Sequence, residues 1–535
     1  MYRKNWNKRF NFWRVKRILP NFLLLYRFFD RINIECSFVI NNRLKIKLFS
    51  ETSKFMAKKN AYITTTLPYV NDKPHIGFAK EIIEADVWAR FHRDLKEEVF
   101  FNTGTDEHGQ KIFQKAQELK LETQAYCDQM VPEFDKLKQA LNLSYDSFIR
   151  TTDFNHIKAV QEFWQRCQRN GDIYKKNYKV KYCVGCELEK TDSELVDGKC
   201  PDHPKMKIEI IEEENYFFRF SAYQEKLLAL YEKNPKFVLP TKRMNEVRSF
   251  VERGLEDFSI SRLKSKMAWG VPVPGDDEQV MYVWFDALVN YISALGWPDK
   301  LDNFEKFWPG IQVCGKDNLR QQAAMWQAML MSAGLPNSRQ IFVNGFITVN
   351  GQKMSKSTGN VISPYEMVEK FGTDATRYLL LAGTSFGEDF DITWEKLIEK
   401  YNADLANGLG NLLSRVIALA QKNDFQFSVQ QSVWDNSQLG FGDSIADFIN
   451  KLELGQALDQ IWKIIQKNDK YVDENKPWEL AKNDTIKFKE VMNNLISDLN
   501  LISQLLKPLL PETAEKIKKA LEMKKTDGAL FQRIK

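Results

Sequence analysis

The sequence predicts an α/β protein: a parallel-sheet domain broken by a cysteine-bearing insertion and followed by an all-α bundle. Three observations carry this. From Ala61, short apolar runs alternate with amphipathic stretches, AYITTT then AKEIIEADVWARFHRDL, EVFFNTG then QKIFQKAQEL, the strand–helix order of a parallel sheet. Between 174 and 236 the alternation stops, and cysteines, Gly, Pro and acidic residues crowd together before ENYFFRF resumes an apolar run. After Trp394, apolar residues recur at three and four through NADLANGLGNLLSRVIALAQ, LGQALDQIWKIIQKNDKYVDE and VMNNLISDLNLISQLLKPLLP, the spacing of packed helices.

A chain of 535 residues is too long for one core. The chain divides into 1–55, a basic extension; 56–173, the first half of the sheet domain; 174–236, the insertion; 237–350, the second half; 351–395, a lysine-containing loop with the segment after it; and 396–535, the bundle. Residues 1–55 hold thirteen Lys or Arg against three Asp or Glu, so this segment carries +10 of a net +6 and the remainder carries −4. A nucleic-acid partner must therefore be sought on a local surface and not in the overall charge. The extension is expected to lie outside the native fold, as sequence upstream of Met56. A targeting leader and a basic arm touching RNA phosphates are the other readings.

Hydrophobic residues at 43% and charged residues at 28% exclude a disordered chain. Seven cysteines are too few for a disulfide scaffold, and three of them cluster with a histidine, which points to a reducing cytoplasm and a metal site. The best apolar stretch, ILPNFLLLY, is broken by Pro20 and Asn21, so no membrane span is expected.

Two stretches carry chemistry. In PHIGF, residues 74–78, a helix opens just beyond a strand and offers free N–H groups to phosphate. His75 can donate to a phosphoryl oxygen, and Gly77 lets a ligand approach the backbone. In NGQKMSKSTGNVISP, Lys353 and Lys356 stand three apart with Ser355 between them and glycines on both sides. Such a loop can close on polyphosphate and neutralise charge that appears in the transition state. A third cluster is Cys183-x2-Cys186, then Cys200-x2-His203, whose three thiolates and one imidazole complete a closed tetrahedral zinc shell of structural type.

PHIGF and KMSKS together resemble the signatures of class I aminoacyl-tRNA synthetases. The stretches FNTGTDEHGQKI, YCVGCELEKTDSELVDGKCPDH, FSISR, YVWFDALVNY, GKD and YVDENKPW resemble the methionyl branch, over about Ala61 to Ile534. The resemblance implies a Rossmann-like catalytic domain, a zinc knuckle in the connective insertion and an anticodon-binding bundle. It implies ATP with Mg²⁺, L-methionine and methionine tRNA as reactants. It assigns His75, Gly77, Phe78, Lys353, Ser355 and Lys356 to the nucleotide. Leu67, Tyr69, Trp284, Tyr291 and Gln322 would line the side-chain pocket, with Asp106 taking the substrate ammonium. Asn407, Asn411, Arg415 and Trp478 would read the anticodon. Arg262 would pair with Asp317 of GKD, and His108 would face the nucleotide. Longer relatives continue into a dimerising domain beyond the point where GALFQRIK ends, so a monomer is expected.

The chain departs from the family at Phe78, Asn318, Gln322 and Asn344, where the second histidine of the motif, an isoleucine and two further histidines are usual. Asn and Gln can supply the same donors without titrating, so activity is expected. A class I ligase of shifted specificity and a non-catalytic tRNA-binding paralogue are the alternatives.

Overall fold

The computed structural model describes residues 59–186, 188–190, 194–354, 359–428 and 445–535. The expected extension 1–55 and the loop residues Ser355 and Lys356 lie outside the described residues.

Six parallel strands form the central sheet: β1 (Asn60–Thr65), β2 (Glu98–Thr105), β3 (Ser147–Arg150), β4 (Val238–Leu239), β5 (Ile311–Gly315) and β6 (Gln340–Asn344). Their order is β3-β2-β1-β5-β6-β4. β1 is buried along Ala61–Thr65 because both sheet faces are covered, which explains its unbroken β-branched and aromatic run. The order reverses between β1 and β5, where Ile63 pairs with Ile311 and Thr65 with Val313. The carboxyl ends of two strands leading away in opposite directions leave a crevice there, the usual ligand position in open α/β sheets.

The helix Ile76–Asp94 leaves β1 and packs between the sheet and the later helices. It buries Lys80, Glu81, Glu84 and Asp86 along with its apolar residues, and each charged group finds a partner. The insertion is antiparallel: Ile173–Cys183 pairs along its whole length with Ile208–Phe218, flanked by Leu188–Lys190 and Phe258–Ser259. After Phe218 the chain returns to the parallel sheet at β4, and Phe258–Ser259, beyond it in sequence, adds the last strand to the insertion sheet.

Beyond Trp394 the regular structure of the described residues is helical. Tyr401–Gly410 is wound in the wider π form and runs on into the α-helix Asn411–Lys422. Leu454–Asn475, Thr485–Leu506 and Pro511–Met523 complete the packing. Their apolar faces share one core with the Ile76–Asp94 helix. Among the described residues, no helix is long and apolar enough to cross a membrane.

Candidate functional site: a crevice at the strand ends

His75 is the N-cap of the Ile76–Asp94 helix, and its Nδ1 accepts the Gly77 N–H at 3.0 Å. An imidazole nitrogen that accepts is unprotonated, so the proton sits on Nε2. The ring is exposed at the crevice, yet the protein around it lowers its pKa, with Asp317 opposing that shift. The neutral tautomer with an Nε2–H donor is therefore the form at pH 7. Gly77 is required for this pose: a Cβ there would lie 2.8 Å from the His75 ring. The same Cβ would come 3.8 Å from Met354, so the start of the KMSKS loop lies against the PHIGF turn. Lys353 Nζ sits 4.7 Å over the Phe346 ring, and Lys316 Nζ lies 4.1 Å from the same ring.

Glu81 is buried one turn into the helix that His75 caps. Its Oε1 accepts from Thr66 N (2.8 Å) and Thr66 Oγ1 (2.6 Å) at the end of β1. Burial pushes its pKa up to about 8; the Thr66 bonds oppose this, while Glu84 and Asp317 add to it.

The expected amino-acid pocket lies beside this point. Tyr69 and Asp106 form a parallel bridge, with Val70 N donating to Asp106 O and Asp106 N to Pro68 O, so the LPYV and TDEHG loops are zipped together. Tyr69 and Trp284 pack on a small cluster of Tyr282, Val283 and Ala287. Trp284 Nε1 is buried with no partner among the described residues, a donor available to a ligand. Tyr291 and Gln322 touch through a hydrogen bond, and Gln322 sits in a π-helical turn, Gln321–Met325, of the kind found at functional sites.

Cys183, Cys186, Cys200 and His203 converge at the insertion tip with their ligand atoms all within 4.8 Å of one another. Gly185 makes the room, because a Cβ there would lie 2.4 Å from the His203 ring. Burial lowers the His203 pKa, and the charges of Lys111, Lys353 and Lys190 lower it further against Asp202.

On the bundle, Arg415 donates to Asp473 at 2.8 Å, and its guanidinium lies 5.9 Å from the centre of the Trp478 ring. Trp478 is 42% exposed, which sets it apart from a core tryptophan. Asn407 and Asn411 are exposed on the helical run that carries Arg415.

Three expectations are corrected. The Phe78 ring turns into the core instead of lining the crevice: it is 9% exposed and meets Phe134 edge-on at 6.3 Å. The Arg262–Asp317 pair does not form. Arg262 Nη1 donates to Ser259 Oγ and Ser261 O, and the guanidinium lies 4.4 Å from the Tyr282 ring centre. His108, expected at the nucleotide, is buried and pairs with Asp286, 2.6 Å away, a buried carboxylate shared with His156 at 2.9 Å. Burial alone would raise the Asp286 pKa, but the two imidazoles outweigh it and hold the carboxyl below the usual range.

Other site-supporting residues carry little signal in the sequence. Asn344 donates to Glu84 and accepts from Lys80, and the two charged residues pair with each other, all three buried. The i, i+4 spacing of Lys80 and Glu84 on a helix is the one available signal. Glu107, next to Asp106, takes a two-pronged contact from Arg150 at 2.7 and 2.8 Å.

The sheet, the crevice at its reversal and the adjoining PHIGF and KMSKS stretches define a class I aminoacyl-tRNA synthetase. A family model described as tRNA synthetases class I (M) matches residues 61–209 and 202–417. A methionine–tRNA ligase of Caldanaerobacter subterraneus subsp. tengcongensis is 42% identical over 472 residues, covering 86% of this chain and 73% of that protein. One of Brucella suis is 42% identical over 474 residues, covering 86% and 92%. The Mycobacterium tuberculosis methionyl-tRNA synthetase in complex with methionyl-adenylate superposes with a TM-score of 0.81 at 40% identity, over 86% of this chain and 93% of that one. The chain belongs to the methionine–tRNA ligase family.

Proposed function

We propose that the crevice joins L-methionine to ATP and passes the methionyl group to the 3′ end of methionine tRNA. The methionine carboxylate attacks the α-phosphorus and pyrophosphate leaves. His75 Nε2–H donates to a phosphoryl oxygen as its charge grows, and Gly77 keeps that ring in place. Lys353, with Ser355 and Lys356, neutralises the leaving polyphosphate, and Mg²⁺ accompanies ATP as its counter-charge. Leu67, Tyr69, Trp284, Tyr291 and Gln322 hold the thioether side chain, and Asp106 holds the ammonium. The observation that supports this most directly is that a Cβ added at Gly77 would lie within 3.8 Å of Met354, which brings the first residues of the KMSKS stretch to the PHIGF turn. Methionine-dependent exchange of pyrophosphate into ATP, run against a panel of amino acids, tests it. Exchange with a different amino acid, or none, overturns it.

Zn²⁺ suits the Cys₃His cluster, as a closed structural shell that shapes the insertion. Cys200→Ser is expected to lose one zinc per chain and to lower the melting temperature, because such a shell is coupled to local folding. Metal analysis of the unmutated protein showing no zinc rules this out.

Arg415 and Trp478, with Asn407 and Asn411, form the surface for an unpaired anticodon loop: amides and a guanidinium for base edges, an exposed indole for stacking. Trp478→Ala is expected to weaken charging of methionine tRNA by at least about tenfold, the loss of one stacked base. Pyrophosphate exchange should stay near the wild-type rate. An equal fall in both activities makes Trp478 a folding residue. The protein is proposed to work as a monomer in a reducing cytoplasm, where the thiols of this cluster persist.

A further inference from the structure

Three consecutive residues of the TDEHG turn are each held by a different element. The Asp106 main chain is zipped to the LPYV loop, and His108 is tied to Asp286. Glu107, between them, has no exposed surface. Its Oε1 accepts from Thr105 Oγ1 at 2.8 Å and Arg150 Nε at 2.7 Å. Its Oε2 accepts from Arg150 Nη2 at 2.8 Å and Thr152 Oγ1 at 2.7 Å. The main-chain N–H of Glu107 donates to Thr151 Oγ1 at 2.9 Å, and the carbonyl accepts from Trp269 Nε1 at 2.5 Å and from the Cys127 thiol at 3.7 Å. These partners stand at the ends of β2 and β3, on the helix Thr123–Asp135 and in the stretch that carries Trp269. Arg150 Nη2 also reaches Asp128 of that helix at 2.6 Å. A carboxylate has about four acceptor sites, and hydroxyl and guanidinium donors of the protein fill them here. Glu107 is therefore a fastening for the turn and not a ligand, and the residue it fixes is its neighbour Asp106.

We propose that Glu107 and Arg150 are positioning residues for the reaction, which hold the turn so that the Asp106 carboxylate meets the substrate ammonium in a pose set before binding. This rests on the reading of Asp106 as the ammonium partner. A ligand that must first order the loop it binds loses affinity to that ordering. A carboxylate–ammonium contact is charge-assisted and needs its two groups at hydrogen-bond distance, so a turn that drifts weakens it. The effect is confined to ligands that carry the ammonium. Binding of ATP, and of an amino-acid analogue without its amino group, does not depend on where Asp106 stands.

The test measures pyrophosphate exchange in wild type, Arg150→Leu, Arg150→Lys and Thr152→Val. Two inhibitors separate the groups of the substrate: L-methioninol keeps the ammonium and lacks the carboxylate, and 4-(methylthio)butanoate keeps the carboxylate and lacks the ammonium. Arg150→Leu is expected to raise the methionine KM and the methioninol inhibition constant about tenfold. The ATP KM, kcat at saturating methionine and the constant for 4-(methylthio)butanoate should stay within about twofold, as when binding common to ground and transition state is lost. Arg150→Lys keeps the charge without the planar fork and should fall between wild type and Arg150→Leu. Thr152→Val removes one donor and leaves the ion pair, so it carries the test if Arg150→Leu fails to fold; a rise of about threefold in the same two constants is expected. Unchanged methionine and methioninol constants in these variants, or equal weakening of methioninol and 4-(methylthio)butanoate, overturn the proposal. An Asp106→Asn variant that binds methioninol as wild type does overturns instead the reading of Asp106 on which it rests.

Discussion

Replacing Arg377 with Met is expected to cost about 3–5 kcal/mol of stability, the usual loss when one partner of a buried ion pair is removed. Arg377 has no exposed surface. Its Nη2 pairs with Asp86 at 2.8 Å, in the middle of the helix that His75 caps. Its other donors reach the carbonyls of Leu141 (3.0 Å), Leu509 (2.9 Å) and Pro508 (3.3 Å). One guanidinium thus fastens the helix that His75 caps to the turn before Pro511–Met523. Arg377→Lys should recover little, because a single ammonium cannot serve acceptors spread around a planar fork. Burial alone would raise the Asp86 pKa, but Arg377, then Arg90, outweigh it and leave the carboxyl below its ordinary range. The stability from such a depressed carboxyl is present above its unfolded pKa and is lost as pH falls through the folded one. The difference between wild type and Arg377→Met, followed by urea unfolding, should therefore be largest at neutral pH and shrink in acid. A gap below about 1 kcal/mol at pH 7 would show that the pair is dispensable.

His75→Ala is expected to slow pyrophosphate exchange by on the order of a hundredfold at saturating ATP and methionine, as when one donor to a developing oxyanion is removed. The variant should stay folded, since the side chain is exposed and its one hydrogen bond among the described residues is to the Gly77 N–H. Phe78→His is the informative partner. The family pattern suggests that restoring histidine there should help. The structure turns that position into the core against Phe134, so the new imidazole cannot reach the phosphates without leaving its place. Its exchange rate should stay within about tenfold of wild type, equal to about 1.4 kcal/mol of barrier, while its melting temperature falls. A large gain with Phe78→His would show that the native site lacks a donor it needs.

The sequence is legible where chemistry is written locally. The helix beginning at PHIGF, the strand before it and the Cys-x2-Cys, Cys-x2-His spacing each depend on residues within a few positions of one another, and the structure forms each of them. Arg415 and Trp478, reached by motif, likewise lie together.

The unexpected features arise from partners distant in sequence. Asn344 reads in the sequence as a lost histidine, yet its amide bridges Glu84 and Lys80, some 260 residues earlier. His108 reads as a nucleotide contact, but Asp286, 178 residues on, lies beside it. Arg262 has a plausible mate in Asp317, but the antiparallel pairing of Ser261–Leu263 with Asp276–Met281 aims it at Tyr282 and the Ser259 hydroxyl. By itself, then, the sequence determined which groups are present: an HIG helix start, a lysine-bearing loop, a Cys₃His cluster and an arginine–tryptophan pair. The tertiary structure decided which way each uncertain side chain faces. The physical reason is that a buried polar group must be hydrogen-bonded, and its available partners are set by which strands and helices lie alongside, a matter of strand order that no local spacing records.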